Sequence, residues 1–258
     1  MYIRPRIIPT LLIDDGKLVK TKRFKKPQYL GDPINAIKIF NEKGVDEVCI
    51  LDISASRKGK KPDMKLLEDM ASEAFMPLSY GGGITGIEEI KDILYIGFEK
   101  IILNTSAVFN PQLVNDASRY FGSQSVVVSI DYKNSLLKKS ICFCMDGSKI
   151  IKGKNPIELA KDAERLGAGE VLLYSIDRDG MREGYDLEMI KEVSSCLKIP
   201  VIACGGADSP KDMKMALDVG ADALAAGSMF VYFGNRQAIL INFPEENIWV
   251  DEGIFSKE

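Results

Sequence analysis

Gly44-Val45-Asp46-Glu47-Val48 and Gly167-Ala168-Gly169-Glu170-Val171 decide the fold. The second stretch lies 123 positions after the first, and the same offset joins Pro33-Ile34 to Pro156-Ile157, Pro77 to Pro200, Gly82-Gly83 to Gly205-Gly206 and Gly97 to Gly220. A register kept from Pro33 to Gly97 without a gap is an internal repeat, so the chain reads as two similar halves.

Within each half, short β-branched runs alternate with amphipathic stretches such as Pro33–Lys43 and Pro156–Leu166. The runs are Ile7–Ile13, Glu47–Ile53, Pro77–Tyr80, Lys100–Asn104, Ser125–Asp131, Glu170–Ile176, Pro200–Cys204 and Ala223–Ala226. Near-continuous apolar strands joined by helical crossovers indicate a parallel sheet covered on both faces. Eight such units close into a barrel, and the 258 residues are the size of one. The predicted fold is α/β, a single (β/α)8 TIM barrel spanning 1–258. Its half-barrels are expected at about 4–122 and 123–233, with an irregular C-terminal tail at 234–258 and no linker or low-complexity segment.

Composition narrows the chemistry. The chain is 46% hydrophobic and 28% charged, as ordinary globular proteins are, and its net charge of −3 favours neither nucleic acid nor an anionic membrane as partner. No apolar run approaches a spanning helix, and the N-terminus has no signal-like apolar core. Cys49, Cys142, Cys144, Cys196 and Cys204 are odd in number, which with the rest suggests a reduced, cytoplasmic protein. There is no histidine, so no metal or other cofactor is expected and catalysis must fall to carboxylates, amides and cations.

In such barrels ligands meet the C-terminal strand ends. Gly82 and Gly83 follow the third strand, and Asn104 and Thr105 end the fourth; Gly205-Gly206 and Gly227-Ser228 repeat the arrangement in the second half. Glycines admit backbone N–H groups close to an anion, and hydroxyls add donors, so two phosphate sites and a phosphorylated ligand are expected. Asp131 closes the fifth strand, Asp52 the second, and Asp177, Asp179 and Gly180 follow the sixth; of the acids, Asp131 is the first candidate for proton transfer. Lys17 to Lys26 carries six cations and no acid, and reads either as a solvated loop or as a lid with Lys20 as an anion contact. Leu136–Ile151, with Asp146-Gly147 at its centre, reads as an inserted β-hairpin.

Arg6-Ile7-Ile8, Asp15-Gly16, Val19-Lys20, Leu51-Asp52-Ile53, Gly81-Gly82-Gly83-Ile84, Asn104-Thr105, Phe121-Gly122-Ser123-Gln124, Ser175-Ile176-Asp177-Arg178-Asp179-Gly180 and Ala203-Cys204-Gly205-Gly206-Ala207 together resemble the cyclase subunit of imidazole glycerol phosphate synthase, over about residues 4 to 233. The resemblance implies a glutaminase partner on the N-terminal face of the barrel. It further implies ammonia passing through the barrel to a bisphosphate, and a floor gate formed by Arg6, Glu47, Lys100 and Glu170, although salt bridges capping the floor would look the same in sequence. It also implies phosphate contacts at Gly82, Gly83, Asn104, Thr105, Asp179, Gly180, Gly205, Gly206, Gly227 and Ser228.

Two departures matter. The family's acid–base pair sits at the ends of the first and fifth strands, and the first position holds Leu12 here, opposite Asp131 in the repeat. Leucine transfers no proton, and Asp15 lies in the turn beyond. The last helix is also shortened or lost. With Ile8-Pro9-Thr10-Leu11-Leu12, Phe24-Lys25-Lys26-Pro27 and Leu240-Ile241-Asn242-Phe243-Pro244, these departures resemble a paralogous branch that serves a sugar amidotransferase making acetamidino sugars for surface polysaccharide. Alternatives are a true cyclase of histidine biosynthesis, a bisphosphate sensor regulating its glutaminase, and a related isomerase needing no glutaminase.

Overall fold

A computed structural model describes residues 4–134, 140–234 and 236–256. Eight strands form the barrel: Arg6–Asp14, Val48–Asp52, Leu78–Gly81, Lys100–Leu103, Val126–Asn134, Glu170–Ser175, Val201–Cys204 and Ala223–Ala226. Each pairs in parallel with its neighbours, and the last pairs with the first in register Arg6 with Ala223, closing the ring. The sheet has no free barrel edge because every strand spends both rows of backbone groups on a partner.

The two faces of each strand explain the two apolar clusters. Ile7, Leu11 and Ile13 point outward and pack with helix residues such as Ile37, Phe40 and Met70. Ile8 points inward with Cys49, Val127, Leu172, Ile202 and Cys204. Side chains alternate along a strand, so Arg6, Ile8, Thr10 and Leu12 form one inward row from floor to mouth.

The repeat is visible in how helices begin. Asp32 accepts from Ile34 N at 2.9 Å ahead of Pro33, and Asn155 accepts from Glu158 N at 2.9 Å ahead of Pro156. Proline at the first helical position has no N–H to leave unpaired, so these Asx-Pro pairs are strong starts.

Three segments go beyond the barrel. Lys17–Lys22 and Lys25–Gly31 form an antiparallel hairpin that continues the first strand, with Leu12 opposite Val19. The expected loop is therefore an extension of the sheet. The fifth strand runs past Asp131 to Asn134 and returns through Ser140–Cys144, with Lys149–Ile150 beyond. The predicted hairpin is present in these parts, and its residues 136–139 lie outside the described ones.

The tail differs from the irregular segment expected. Tyr232–Phe233 pairs with Ala238–Ile239, and Glu246–Asp251 is a short helix. Phe230, Phe243, Trp249 and Phe255 stack in succession at 5.2, 5.5 and 6.3 Å, with Trp249 fully buried and Arg4 over the Phe255 ring at 3.9 Å. Aromatic area too sparse in sequence to suggest a regular element nonetheless seals this side of the barrel. No described helix is long and apolar enough to cross a membrane.

Candidate functional site

The strand ends converge on two adjoining cavities. The first, about 680 Å³ with its open mouth, is lined by Gly82, Gly83, Asn104, Thr105, Asp131 and Leu12 among others. The second is lined by Lys20, Asp179, Gly180, Gly205, Gly206, Gly227 and Ser228. Tyr174 lines both. The glycine turns expected at two anion sites thus fall into two groups, one per half-barrel, and Lys20 of the first half joins the second group.

Glycine is required at these turns. Gly82 has φ +138°, and a Cβ there would stand 2.7 Å from the Asp52 carbonyl oxygen; Gly206 has φ +106°, and its Cβ would collide with the Gly184 carbonyl oxygen. Any side chain would clash and be strained, so the backbone itself forms the surface of each cavity. Thr105 and Ser228 begin one-turn helices at the adjoining strand ends.

Not every expected contact offers a donor to a ligand. Asn104 Nδ2 already donates to Ser129 O at 3.1 Å and Phe143 O at 3.4 Å, and Thr105 Oγ1 donates to Asn104 Oδ1 at 3.4 Å while accepting from Met145 N at 3.0 Å. These two side chains tie the inserted hairpin to the fourth strand. Asp179 accepts from Thr21 Oγ1 at 2.6 Å, Tyr174 OH at 2.9 Å and Phe24 N at 3.2 Å, with Lys20 Nζ at 3.5 Å. A carboxylate repels phosphate, so Asp179 positions Lys20 and the hairpin above it instead. Lys20 is buried, and its Nζ lies where a Cβ on Gly227 would fall. Among the described residues, it and Arg182 are the cations lining this cavity.

The 17–31 hairpin is seated over the mouth. Arg23 N donates to Asp179 O at 2.9 Å, and the Phe24 ring meets Tyr174 edge-on at 4.8 Å while lining the first cavity.

The acids divide into several environments. Asp131 is buried; burial pushes its carboxyl up to about 7, Ser129 Oγ, donating at 2.8 Å, opposes this, and Asp179 adds to it. Asp52 accepts from Ser54 N at 2.9 Å and Ala55 N at 3.0 Å, the work of a turn cap. Asp177 accepts from Asn134 N at 2.8 Å at the base of the inserted hairpin. Asp15 does not line the cavity; Lys58 and Lys60 hold it down to about 2 at the exposed surface, with Lys60 Nζ at 2.6 Å. It cannot replace the missing acid from there. Leu12 is 1% exposed at the wall of the first cavity.

Sequence reasoning missed Asp146 as a site residue. It was legible only as a turn residue, yet its side chain is 7% exposed, lines the first cavity with Asp131, and lies 3.3 Å from Arg57 Nη1. Burial is the main cause that pushes Asp146 up to about 7; Arg57 opposes it, and Asp131, Asp14 and Asp179 add to it. Among the described residues no group of His, Cys, Asp and Glu is arranged to hold a metal ion.

At the opposite end four charges close the floor. Arg6 Nη1 donates to Glu47 Oε2 at 2.6 Å and Nη2 to Glu170 Oε1 at 2.8 Å, while Lys100 Nζ reaches the same two oxygens at 3.1 and 3.2 Å. Burial works against the Arg6 charge, but Glu170 and Glu47 outweigh it and hold the guanidinium above its ordinary pKa. Two cations against two anions leave no net charge, which limits the desolvation cost. Between floor and mouth Thr10 Oγ1 is the one buried side-chain polar atom without a hydrogen bond among the described residues; Cys49 and Cys204 are its neighbours.

Comparison with known proteins gives one consistent family. The family model described as histidine biosynthesis protein matches residues 6–237. A protein of Leptospira interrogans, provisionally named imidazole glycerol phosphate synthase subunit HisF, is 50% identical over 94% of this chain and 96% of its own length. A provisionally named subunit hisF2 of Pseudomonas aeruginosa is 45% identical over 95% of this chain and 98% of its own length. The imidazole glycerol phosphate synthase subunit HisF of Clostridium botulinum is 43% identical over 88% of this chain and 90% of its own length. With a closed eightfold barrel, a family model matching residues 6–237 and relatives alike over nearly their whole length, the chain belongs to the histidine biosynthesis protein family, as a HisF-like cyclase subunit.

Proposed function

We propose that this HisF-like barrel receives ammonia from a glutaminase docked on its N-terminal face and holds a phosphorylated ligand at its C-terminal face. We infer that the nitrogen ends in the acetamidino group of a surface-polysaccharide sugar, formed by a separate sugar amidotransferase. The observation that carries the reading is the neutral ring of Arg6, Glu47, Lys100 and Glu170 beneath a mouth that the first strand lines with Leu12. A ring held only by ion pairs opens by rearranging side chains, without moving the strands. An uncharged interior suits neutral ammonia, and the orphan hydroxyl of Thr10 offers it a hydrogen bond on the way. Phe75, Tyr95 and Tyr120 are each more than 70% exposed; Phe75 lies between the helix Met64–Glu73 and the third strand, and the other two lie in the last turns of the helices Ile87–Tyr95 and Gln112–Phe121. Exposed aromatics around the floor suit a protein partner.

Each phosphate would meet a glycine turn, and in the second cavity also Lys20 and the Ser228 hydroxyl. Hydrogen bonds to a charged oxygen contribute about 1.5–3 kcal/mol each, so four or five suffice for micromolar binding after entropic losses.

Reconstitution tests the reading. Barrel, glutaminase and sugar amidotransferase together should form the acetamidino product from glutamine, and omission of the barrel should abolish it. The barrel with ammonium salt and the histidine-pathway bisphosphate should turn over far below about 1 s⁻¹, since a lost general acid or base costs about 10²–10⁴-fold. Turnover at or above that rate, or product formed without the barrel, overturns it.

One observation favours a second reading, a cyclase of histidine biosynthesis: Asp146 brings another buried carboxyl into the cavity of Asp131. Rescue of a strain lacking its cyclase distinguishes the two.

A further inference from the structure

We propose that a cavity on the outer side of the fifth strand binds an amphipathic anion, an aliphatic chain ending in a carboxylate, which acts on the mouth through a shared wall. This site lies apart from both phosphate cavities and does not depend on where the nitrogen goes.

The cavity lies where the inserted hairpin interrupts the alternation of strand and helix. The fifth strand runs on to Asn134, and its helix, Pro156–Leu166, begins only after the hairpin. The preceding helix, Gln112–Phe121, is tied to it at one end, where Asn115 Nδ2 donates to Leu166 O at 3.3 Å. Between that contact and Phe143 and Ile151 of the insertion, Val128 and Ile130 on the outer face of the strand meet only short side chains, Val108, Val114 and Ala163 among them. The space left is about 910 Å³ with its open mouth. Small-molecule sites run to about 300–1,000 Å³. Apolar walls open to water are unfavourable, and an aliphatic chain laid against them restores the missing contacts.

The rim sets the charge of the occupant. Among the described residues that line it, Lys152, Lys154 and Arg165 stand against the single carboxylate of Asp162. Arg165 Nη2 lies 2.8 Å from Asp162, and Lys154 pairs with the same side chain. Lys152 is exposed and makes no ion pair among the described residues. Three cations around an apolar opening favour a ligand whose polar end is an anion and disfavour a cationic one. At its inner end the cavity is one layer of side chains from the mouth, because Asn104 and Ser129 line this cavity and the first alike. Asn104 Nδ2 donates to Ser129 O at 3.1 Å and to Phe143 O at 3.4 Å, and Ser129 Oγ donates to Asp131 Oδ1 at 2.8 Å. A chain pressing on Phe143 or Asn104 therefore displaces the hydroxyl that holds Asp131, since closely packed interiors transmit strain.

Isothermal titration calorimetry of the full chain with decanoate, octanoate, decanol and decyltrimethylammonium tests the site. Decanoate should bind one to one with a Kd of about 10–100 µM. Octanoate, two methylenes shorter, should bind about 5–15-fold more weakly, and decyltrimethylammonium about tenfold more weakly or worse. Ala163→Phe fills the cavity and should weaken decanoate about 30-fold or more. Lys152→Glu at the exposed rim should weaken decanoate about 3–10-fold and leave decanol within about twofold. Unchanged affinity for inorganic phosphate reports an intact barrel in either variant, and where Ala163→Phe does not fold, the rim variant and the chain series still decide. Carboxyl carbon NMR should show the Asp131 resonance move as decanoate saturates, with Asp222 at the far end of the barrel fixed. No binding, equal binding of the cationic chain, or decanoate affinity untouched in a folded Ala163→Phe overturns the site. Co-sedimentation with phosphatidylglycerol vesicles that Lys152→Glu abolishes would assign the cations to a lipid surface and overturn it too. An Asp131 resonance indifferent to bound decanoate overturns the action through the wall.

Discussion

Asp131→Asn should make the protein more stable at pH 8 and leave it nearly unchanged at pH 4.5. The wild-type carboxyl is raised from 3.8 to about 7 in the folded chain, chiefly by burial. A raised folded pKa contributes stability that is present below the unfolded value and lost as pH rises through the folded one. The loss thus accumulates between about pH 4 and pH 7. Three units at about 1.4 kcal/mol each set a ceiling of about 4 kcal/mol at pH 8, and relaxation with water entry reduces this to roughly 2–3 kcal/mol. Asparagine carries no charge to desolvate and still accepts from Ser129 Oγ, so it recovers most of that amount. For a chain of this size about 2–4 °C accompanies each kcal/mol, so Tm should rise by about 4–10 °C at pH 8. Urea unfolding at both pH values gives the same comparison where heating is irreversible. Equal destabilisation at pH 8 and pH 4.5 would show that the Asp131 charge is not costly to bury, and would refute the reasoning.

Other outcomes follow from the floor, the interior and the tail. Glu47→Gln leaves Arg6 and Lys100 to share Glu170 alone, so the urea midpoint should drop by the equivalent of about 2–4 kcal/mol with the slope unchanged. Thr10→Val removes a buried hydroxyl that has no partner and should be neutral or stabilising by about 1 kcal/mol in urea unfolding. It should also slow glutamine-dependent transfer more than transfer from added ammonium salt. Trp249→Ala opens the aromatic stack of the tail and should cost about 3–5 kcal/mol, read by chemical unfolding followed through near-UV circular dichroism.

The barrel was legible because its signals are local and repeated. Apolar runs of strand length, Asx-Pro helix starts and glycine pairs at one offset each follow from backbone chemistry that neighbours in sequence satisfy. The division of the glycine turns between two cavities followed from the same symmetry, whereas Lys20, on the hairpin of the first half, lines the second cavity, a placement the repeat does not indicate. Strand ends erred by at most one residue except at the end of the fifth, three residues beyond Asp131, where Val126–Asn134 continues into the insertion because antiparallel pairing with Ser140–Cys144 holds it extended.

Tertiary structure alone decided which acids meet. Asp131 and Leu12 could be placed by register, since each lies near the C-terminal end of a barrel strand. Asp146 sits at the tip of a hairpin whose direction depends on Thr105, Asn104 and Phe24, residues distant in sequence. Asp15, nearer Leu12 in the chain, is drawn to the surface by Lys58 and Lys60. Sequence distance sets strand order in a repeated fold, but a carboxyl's proton affinity depends on burial and on charges that only the closed mouth brings together.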